Sequence, residues 1–389
     1  MKKTKKVDRI MKKIISIALC AIMILSFASC KQKTQVKYSG SASKVEQTFD
    51  FSLSANELCK TLGAGWNLGN TLDAHTEWGE WVDNPSVEYQ ETGWNNPVTT
   101  EEMMAFVKKS GFDSVRIPVT WYLQTEEKDG VYTIKQEWMD RVKQVAEYSL
   151  NYGLYTIVDM HHDDNAWLSI SGTDAEFEKV KDRYKQLWQQ IATAFKDYGD
   201  HLILEGANEI TATTKFDGCG DTDGDCWWGH EKKSLDRLNE LHQIFVDTVR
   251  GTGGYNSQRY LMIPTYGAQW YTNQINNLKI PNNDDHIIMD VHWYQTNTSN
   301  KDSNAWVFDA MRKFADEHNV GAVLGESGMV ASASDSTKED YGKNVVGCAA
   351  EYDIPVFLWD DGGDVKIMNR TELTWNSDAY IKSVIDASK

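Results

Sequence analysis

The sequence predicts an α/β fold, a closed (β/α)8 barrel, on two observations: eight short apolar runs recur along the chain, and helical patterns separate most of them. The runs are GWNLGN (65–70), SVRIPV (114–119), YTIVDM (155–160), HLILEG (201–206), RYLMIP (259–264), HIIMDVH (286–292), GAVLGE (321–326) and PVFLWD (355–360). They are continuously apolar rather than alternating, as parallel strands covered on both faces require. An open doubly wound sheet is the competing arrangement, but no G-x-G-x-x-G follows the first run. Residues 49–389 contain no internal repeat and no Gly/Pro-rich break, so they read as one domain.

The intervening helices carry their own punctuation. Thr99-x-x-Glu102 reads as a capping box, with Gly111 as the residue beyond that helix's end. The pattern over 137–152 stops at Gly153 and that over 175–198 at Gly199; segments 231–250, 303–318 and 338–352 also read as helices.

The first thirty residues belong to a different problem. Lys2 to Lys13 is basic, and Ile14 to Phe27 is an apolar run too short to be comfortable as a membrane span. It ends Phe27-Ala28-Ser29-Cys30, which resembles the lipobox of bacterial lipoproteins. Residues 1–29 are expected to be a signal peptide, Cys30 to be lipidated, and residues 30–48 to be a flexible tether to a catalytic domain at 49–389. A plain cleaved signal and an uncleaved anchor are the alternatives. The expected product is exported and membrane-anchored through lipid alone, periplasmic or at the cell surface.

Export permits disulfides. Cys219 and Cys226 flank GDTDGD and are spaced to close a small loop, while the lack of any C-x-x-C pair argues against zinc or redox use. The net charge of −17 becomes −23 once residues 1–29 leave, because seven Lys/Arg and one Asp go with them. So acidic a chain, with its bases dispersed, excludes nucleic acid as a partner and favours a neutral substrate. A monomer is expected.

In such a barrel the chemistry sits at the C-terminal ends of the strands. Those ends carry Asn67 and Asn70, Arg116, His161 and His162, Asn208 and Glu209, His292 and Tyr294, Glu326, and Trp359, Asp360 and Asp361. Each alone could be a satisfied structural residue; polar and aromatic groups at seven strand ends together point to a site. Glu209 ends the fourth strand and Glu326 the seventh, so the two carboxylates are expected to face each other across the mouth. Facing carboxylates beside a neutral substrate are the equipment of a glycosidase, one donating a proton and the other attacking the anomeric carbon. Arg116 is expected beneath Glu326, where a cation favours the carboxylate, and Asn208 is placed to bond a sugar 2-hydroxyl. Trp121, Trp167, Trp227, Trp228, Trp270 and Trp293 are candidates to spread along an open mouth that suits a polymer cut internally.

These segments resemble glycoside hydrolase family 5, within the clan of retaining (β/α)8 glycosidases. The resemblance rests on GWNLGNTLDA (65–74), WNNPVTT (94–100), GFDSVRIPVTW (111–121), HHDD (161–164), Asn208-Glu209, VHWY (291–294), GES (325–327) and LWDDG (358–362), in the family's order. It implies Glu209 as acid/base and Glu326 as nucleophile, with Arg116, His161, Asn208, His292, Tyr294 and Trp359 around them; Asn70 and His162, also at strand ends, are further substrate-binding candidates, and no metal or cofactor is expected. It is nearest the bacterial endo-β-1,4-glucanases, whose substrates include cellulose, mixed-linkage glucan, xyloglucan and sometimes xylan. The partner it implies is a β-glucan polysaccharide or oligosaccharide. A xylanase or mannanase is the neighbouring reading, and a non-catalytic glycan-binding lipoprotein the remote one. Two departures stand out: Ser327 where the family usually has Phe, and Asp361 where relatives often have Asn. Both are expected to bear on substrate preference.

Other signals weigh less. HHDD lacks H-x-x-x-H spacing, and neighbours on a strand point apart, so one histidine is expected to line the cleft and the other to pack behind it. DGCGDTDGDC (217–226) looks like a calcium loop, but counted from Asp221 it has Cys226 and Lys232 where an EF-hand needs Gly and Glu. GESG (325–328) is not G-x-S-x-G.

Overall fold

Each of the eight apolar runs forms a strand: Gly65–Asn67 (β1), Ser114–Ile117 (β2), Tyr155–Asp159 (β3), Leu202–Glu205 (β4), Leu261–Pro264 (β5), Ile287–His292 (β6), Gly321–Ser327 (β7) and Val356–Leu358 (β8). All neighbours are parallel, and the ring closes where Gly65 of β1 pairs with Phe357 of β8. The computed structural model describes residues 43–75, 82, 84–212, 232–295 and 298–389. The expected signal segment with Cys30, most of the tether, the Cys219–Cys226 pair, the acidic stretch 217–226 and the tryptophans at 227 and 228 lie outside the described residues. Among those described, no helix is long and apolar enough to cross a membrane.

Side chains alternate along a strand, so each run divides into an outward and an inward set. The outward set, among them Trp66, Val115, Val158, Leu204, Ile263, Met289 and Leu324, packs into one large core with the helices. The inward set forms two layers. Below, Ile157, Ile203, Met262, Ile288, Val323 and Phe357 pack on one another. Two residues further along stand Asp159, Glu205 and Asp290, and at the same height β1 and β2 contribute Asn67 and Arg116; all five are fully buried. The runs look uniformly apolar because two of their three environments are apolar, and the third is a thin charged layer. Gly65 faces the bottom layer with no side chain because the Phe357 ring fills the place, only 2.1 Å from where a Cβ would stand.

The chain plugs its own barrel from below. Ser54 and Glu57 form a capping box (Ser54 N to Glu57 Oε2 2.8 Å) that starts the short helix Ala55–Cys59. Phe51, Ala55, Leu58, Cys59 and Leu62 pack onto the bottom layer. The residues just before are not free, contrary to a tether reaching 48. Val45 N donates to Asn151 O (2.8 Å), Gly199 N to Gln47 Oε1 (2.8 Å) and Asp200 N to Thr48 O (3.1 Å). Gly199 has no room for a Cβ, which would stand 2.0 Å from Thr48 O.

Around the barrel the expected helices appear as Gln136–Leu150, Asp174–Phe195, Lys232–Gly251 and Ala305–His318. The segment expected at 338–352 begins earlier, at Asp335 behind the Ser334 cap, and passes through a π-turn at Gly342–Val346. The capping box at Thr99 does not form. Thr100 caps Glu101–Lys109 instead, accepting from Met103 N at 3.3 Å, while Thr99 N donates to Glu91 Oε1 at 2.8 Å. Gly111 follows that helix with φ +105°. An unforeseen hairpin, Thr125–Lys128 with Val131–Ile134, leaves the barrel after β2. Asp129 and Gly130 turn it with φ of +52° and +81°.

Candidate active site

Arg116 holds the charged layer together. Its Nε and Nη2 grip Glu205 in a bidentate pair (2.7 and 2.8 Å), and Nη2 also reaches Asp159 Oδ2 at 2.7 Å. Nη1 donates to Glu326 Oε1 at 2.8 Å and to Asn67 Oδ1 at 3.2 Å, and Nη2 to Asn208 Oδ1 at 3.0 Å. The side chain is fully buried. It therefore lies beneath Glu326 as expected, but it supports the site floor and does not face the cleft. Burial opposes its charge, yet Glu205, Asp159 and Glu326 outweigh that and hold it well above the ordinary guanidinium range.

Glu326 owes its direction to a bulge. Val291 pairs with Leu324 and His292 with Glu326, so β7 carries one residue more than β6 at this point. Gly325 occupies the bulge: its N donates to Asp290 Oδ1 at 3.0 Å, its O accepts from Asn67 Nδ2 at 2.9 Å, and a Cβ there would stand 2.1 Å from Asp290 Oδ1. Such a bulge re-aims the next side chain. Tyr294 Oη donates to Glu326 Oε2 at 2.9 Å. Burial, then the charges of Glu326 and Glu209, keep the Tyr294 phenol well above its usual range and hence a donor.

Glu209 follows Asn208 beyond the end of β4, and its side chain is 47% exposed, whereas that of Glu326 is 7% exposed. His292 lies between them: Nδ1 is 2.7 Å from Glu209 Oε1 and 3.6 Å from Glu326 Oε2, and Nε2 is 2.9 Å from Asp290 Oδ2. One oxygen of Glu209, one of Glu326 and a His292 nitrogen all lie within 4.8 Å of one another. Burial works against a charge on His292, but Glu326, Asp290 and Glu209 raise it well above the ordinary imidazole range.

His161 bonds Asp159 Oδ2 through Nδ1 (2.8 Å), lies 3.9 Å from Glu326 Oε1 through Nε2, and stacks on the half-buried Trp359 at 5.6 Å and 11°. His162 does not pack away behind it. The strand ends at Asp159, so strand alternation no longer applies, and the two rings meet edge to face at 4.3 Å. His162 also touches His75 (4.6 Å) and Trp94 (5.6 Å), with Nε2 3.8 Å from Asp73 Oδ2. Burial holds both His161 and His162 well below the ordinary range, so both are neutral. Asn70, at φ +54°, donates its N–H to Asp73 Oδ2 (3.0 Å) and lends its carbonyl to Asn96 (2.8 Å). The structure thus gathers Arg116, His161, Asn208, Glu209, His292, Tyr294, Glu326 and Trp359 at one end of the barrel, with His162 and Asn70 on the flank beside Asp73.

Four residues of the site escaped sequence reasoning: Asp159, Glu205, Asp290 and Asp164. The first three were visible as lone charges inside apolar runs. Burial pushes Asp159 up to about 6 against the pull of Arg116 and drives Glu205 well up, while the charge of His292 overcomes burial to hold Asp290 down. Asp164 accepts from Glu209 N at 3.3 Å, and burial with the Glu209 charge raises it well above the carboxylate range. Among the described residues four donor sets are tight enough for a cation: Glu209 with His292 and Glu326, Glu205 with Asp290 and His292, and Asp73 with His161 and His162 at the site, and Asp284 with Asp285 and His286 ahead of β6.

Several expected cleft residues lie elsewhere. Ser327 is fully buried: its Oγ donates to Trp293 O (2.6 Å) and accepts from Tyr341 Oη (2.5 Å), so it braces strand ends. Asp361 Oδ1 is occupied by the Gly363 and Val365 N–H groups (2.6 and 3.0 Å) and shapes its own loop. Trp121 and Trp293 are buried, whereas Trp167 and Trp270 are only partly so.

Comparison with known proteins agrees with this geometry. Residues 72–364 match the family Cellulase (glycosyl hydrolase family 5). Endoglucanase A of Clostridium longisporum is 34% identical over 86% of this chain and 65% of its own length. Cellulase/esterase CelE of Acetivibrio thermocellus is 31% identical over 97% of this chain and 47% of its own length. The chain thus spans about half to two thirds of these relatives. A GH5-4 broad specificity endoglucanase from Ruminococcus champanellensis with bound cellotriose superposes with a TM-score of 0.78 at 30% identity, over 88% of this chain and 100% of that one. Barrel, site geometry and sequence agree, and the chain belongs to glycosyl hydrolase family 5, the cellulase family.

Proposed function

We propose that the protein is an endo-acting, retaining β-1,4-glucanase, with Glu326 as nucleophile and Glu209 as acid/base. The observation that carries this is the approach of a Glu209 oxygen to a Glu326 oxygen within 4.8 Å. A retaining pair stands about 5–5.5 Å apart, whereas an inverting pair needs roughly 6.5–9.5 Å to admit water. The environments divide the roles. Glu326 is buried and receives hydrogen bonds from Arg116 and Tyr294, which suit a carboxylate that must stay charged until it attacks. Glu209 is half exposed and bonded to His292, which suits a group that exchanges protons.

In the first step a Glu326 oxygen bonds to the anomeric carbon as the glycosidic bond breaks, and the departing oxygen takes the Glu209 proton. In the second, water attacks that carbon while Glu209 takes its proton, and Glu326 leaves as carboxylate. Asn208, whose Oδ1 is held by Arg116, offers Nδ2 to the sugar 2-hydroxyl. Trp359 and His161 present a stacked pair beside the nucleophile, and His162 and Asn70 extend the wall. Cellotriose in the Ruminococcus champanellensis neighbour supports a β-1,4-glucan, while a similar GH5 xyloglucan-specific endo-beta-1,4-glucanase and a similar GH5 family lichenase support xyloglucan and mixed-linkage glucan as further substrates. Export follows from the signal-like residues 1–29, with lipid on Cys30.

The two glutamates leave different signatures with an activated aryl β-cellobioside and azide. Glu326→Ala should give an α-glycosyl azide by one displacement, and Glu209→Ala a β-glycosyl azide by two. Reversed products would swap the roles, and no rescue in either variant would sink the assignment. Viscosity of barley β-glucan should fall faster than reducing ends appear; parallel rates would mean exo action. Labelled palmitate should enter the full chain in a bacterial host and not the Cys30→Ser variant; label in both would place the lipid elsewhere.

A further inference from the structure

A row of aromatic rings leads away from the site. Trp293 stands between His292 and Tyr294, whose side chains touch Glu209 and Glu326. Its ring is 4% exposed. It meets Trp306 edge to face at 6.5 Å and Trp270 at 6.3 Å, and Trp270 carries Tyr271 stacked on it at 4.8 Å and 27°. The outer members of the row face solvent: Trp306 is 51% exposed and Tyr271 37%. Trp306 is the only exposed tryptophan among the described residues. A large ring so placed is the uncommon case, since single exposed aliphatics need no explanation but clustered aromatics mark binding surfaces.

The polar surroundings name the ligand. Residues 269–277, QWYTNQINN, contain five amides and no charge in a chain that is 25% charged. Asn273 and Asn276 are exposed beside Tyr271. Flat rings for the C–H faces of sugars and uncharged amides for their hydroxyls are the complement of a neutral polysaccharide. A lipid surface or an acidic partner would call for basic residues. The row also lies at the cleft end of the barrel, because Trp270 and Tyr271 follow the C-terminal end of β5 and Trp306 stands in the first turn of the helix after β6.

We propose that Trp306 and Tyr271 form an outer shelf that holds a β-glucan chain beyond the catalytic subsites. The proposal rests on the glucanase reading of the cleft and adds to it a holding surface that acts on long chains only.

The test separates holding from cutting. In a Glu326→Ala background, native-gel migration through barley β-glucan reports binding without hydrolysis. Replacing both Trp306 and Tyr271 by Ala should weaken retardation roughly tenfold, the scale of losing two aromatic contacts. Trp306→Phe, which keeps a stacking face, should retain most of it. In the active enzyme the double variant should raise KM for the polymer and leave kcat/KM for an aryl β-cellobioside, too short to reach the shelf, within about twofold. Unchanged retardation in the double variant overturns the proposal and leaves the shelf as a docking place for an apolar partner. Equal losses on polymer and aryl cellobioside also overturn it, by making the rings part of the catalytic frame. A wild-type enzyme that is retarded but cleaves neither substrate would sink the glucanase reading while the shelf stands.

Discussion

Arg116 shows how far a single residue could be read. Its place under Glu326 followed from one strand ending in Arg and another in Glu, yet its other partners did not. Asp159 and Glu205 looked like the ends of apolar runs, because nothing in a linear sequence says that several strands place their one polar residue at the same height of a closed ring. The number of carboxylates changes the expected behaviour. Arg116→Ala leaves Glu205, Asp159 and Glu326 uncompensated in a buried layer, at a cost of about 3–5 kcal/mol, so activity and stability should fall together. Arg116→Lys is the sharper probe, since it keeps the charge and loses the bidentate fork. Its kcat/KM on barley β-glucan should drop at least tenfold, the effect of about 1.4 kcal/mol, with a smaller loss in urea unfolding. A lysine variant as active as the parent would show that charge alone suffices. Ser327 and Asp361 were legible as departures from a family pattern but not as structural residues, because a sequence shows what is unusual and not which way it points.

At the scale of elements, all eight strands were legible, since burial on both faces imposes continuous apolar runs. The hairpin at 125–134 was missed although its Asp129-Gly130 turn is a strong local signal for positive φ at both positions. The β7 bulge had no signal, because an extra residue is defined only against its neighbours. Yet Gly325 gives it a testable consequence. Gly325→Ala would drive a methyl into the Asp290 carboxylate, 2.1 Å from the Cβ position, and tilt both His292 and Glu326. A loss of about 1–3 kcal/mol from overpacking is expected, with kcat falling more than that loss of fold explains. Unaltered kcat in the folded variant would show that the bulge tolerates the methyl. The helix Lys232–Gly251 bears a pH-dependent contact: His242 is fully buried, Nε2 lies 3.0 Å from Pro264 O, and burial pushes its imidazole down to about 4. Between pH 6.5 and 4 the unfolded chain holds a proton there that the folded one refuses. Its share of stability is therefore present above pH 6.5 and lost as pH falls, by about 1.4 kcal/mol per unit. His242→Gln, which keeps an N–H for Pro264, should flatten the acid side of a urea-stability profile. Parallel slopes in parent and variant would contradict this.

On the scale of the whole molecule, a net charge of −17, or −23 once residues 1–29 leave, makes the protein repel anionic polymer chains. Added salt screens that repulsion within a Debye length of about 8–10 Å, so activity on carboxymethylcellulose should rise from low to moderate ionic strength while that on neutral barley β-glucan stays level. A rise on both would point to a different salt effect. The barrel was legible as a whole because alternating strand and helix patterns leave few other arrangements, whereas the docking of Val45 to Thr48 was not, since polar segments look alike whether bound or loose. The seam between Gly65 and Phe357 also sets a clock. A ribosome adding about 5–20 residues per second needs roughly 15–60 s to travel from one to the other. Throughout that interval β1 has an unpaired edge, and the bottom layer lacks the ring that covers Gly65. The last barrel strand to be made is the one that closes the ring, so a chain stopped short of residue 355 is not a smaller barrel but an open sheet looking for an edge to join.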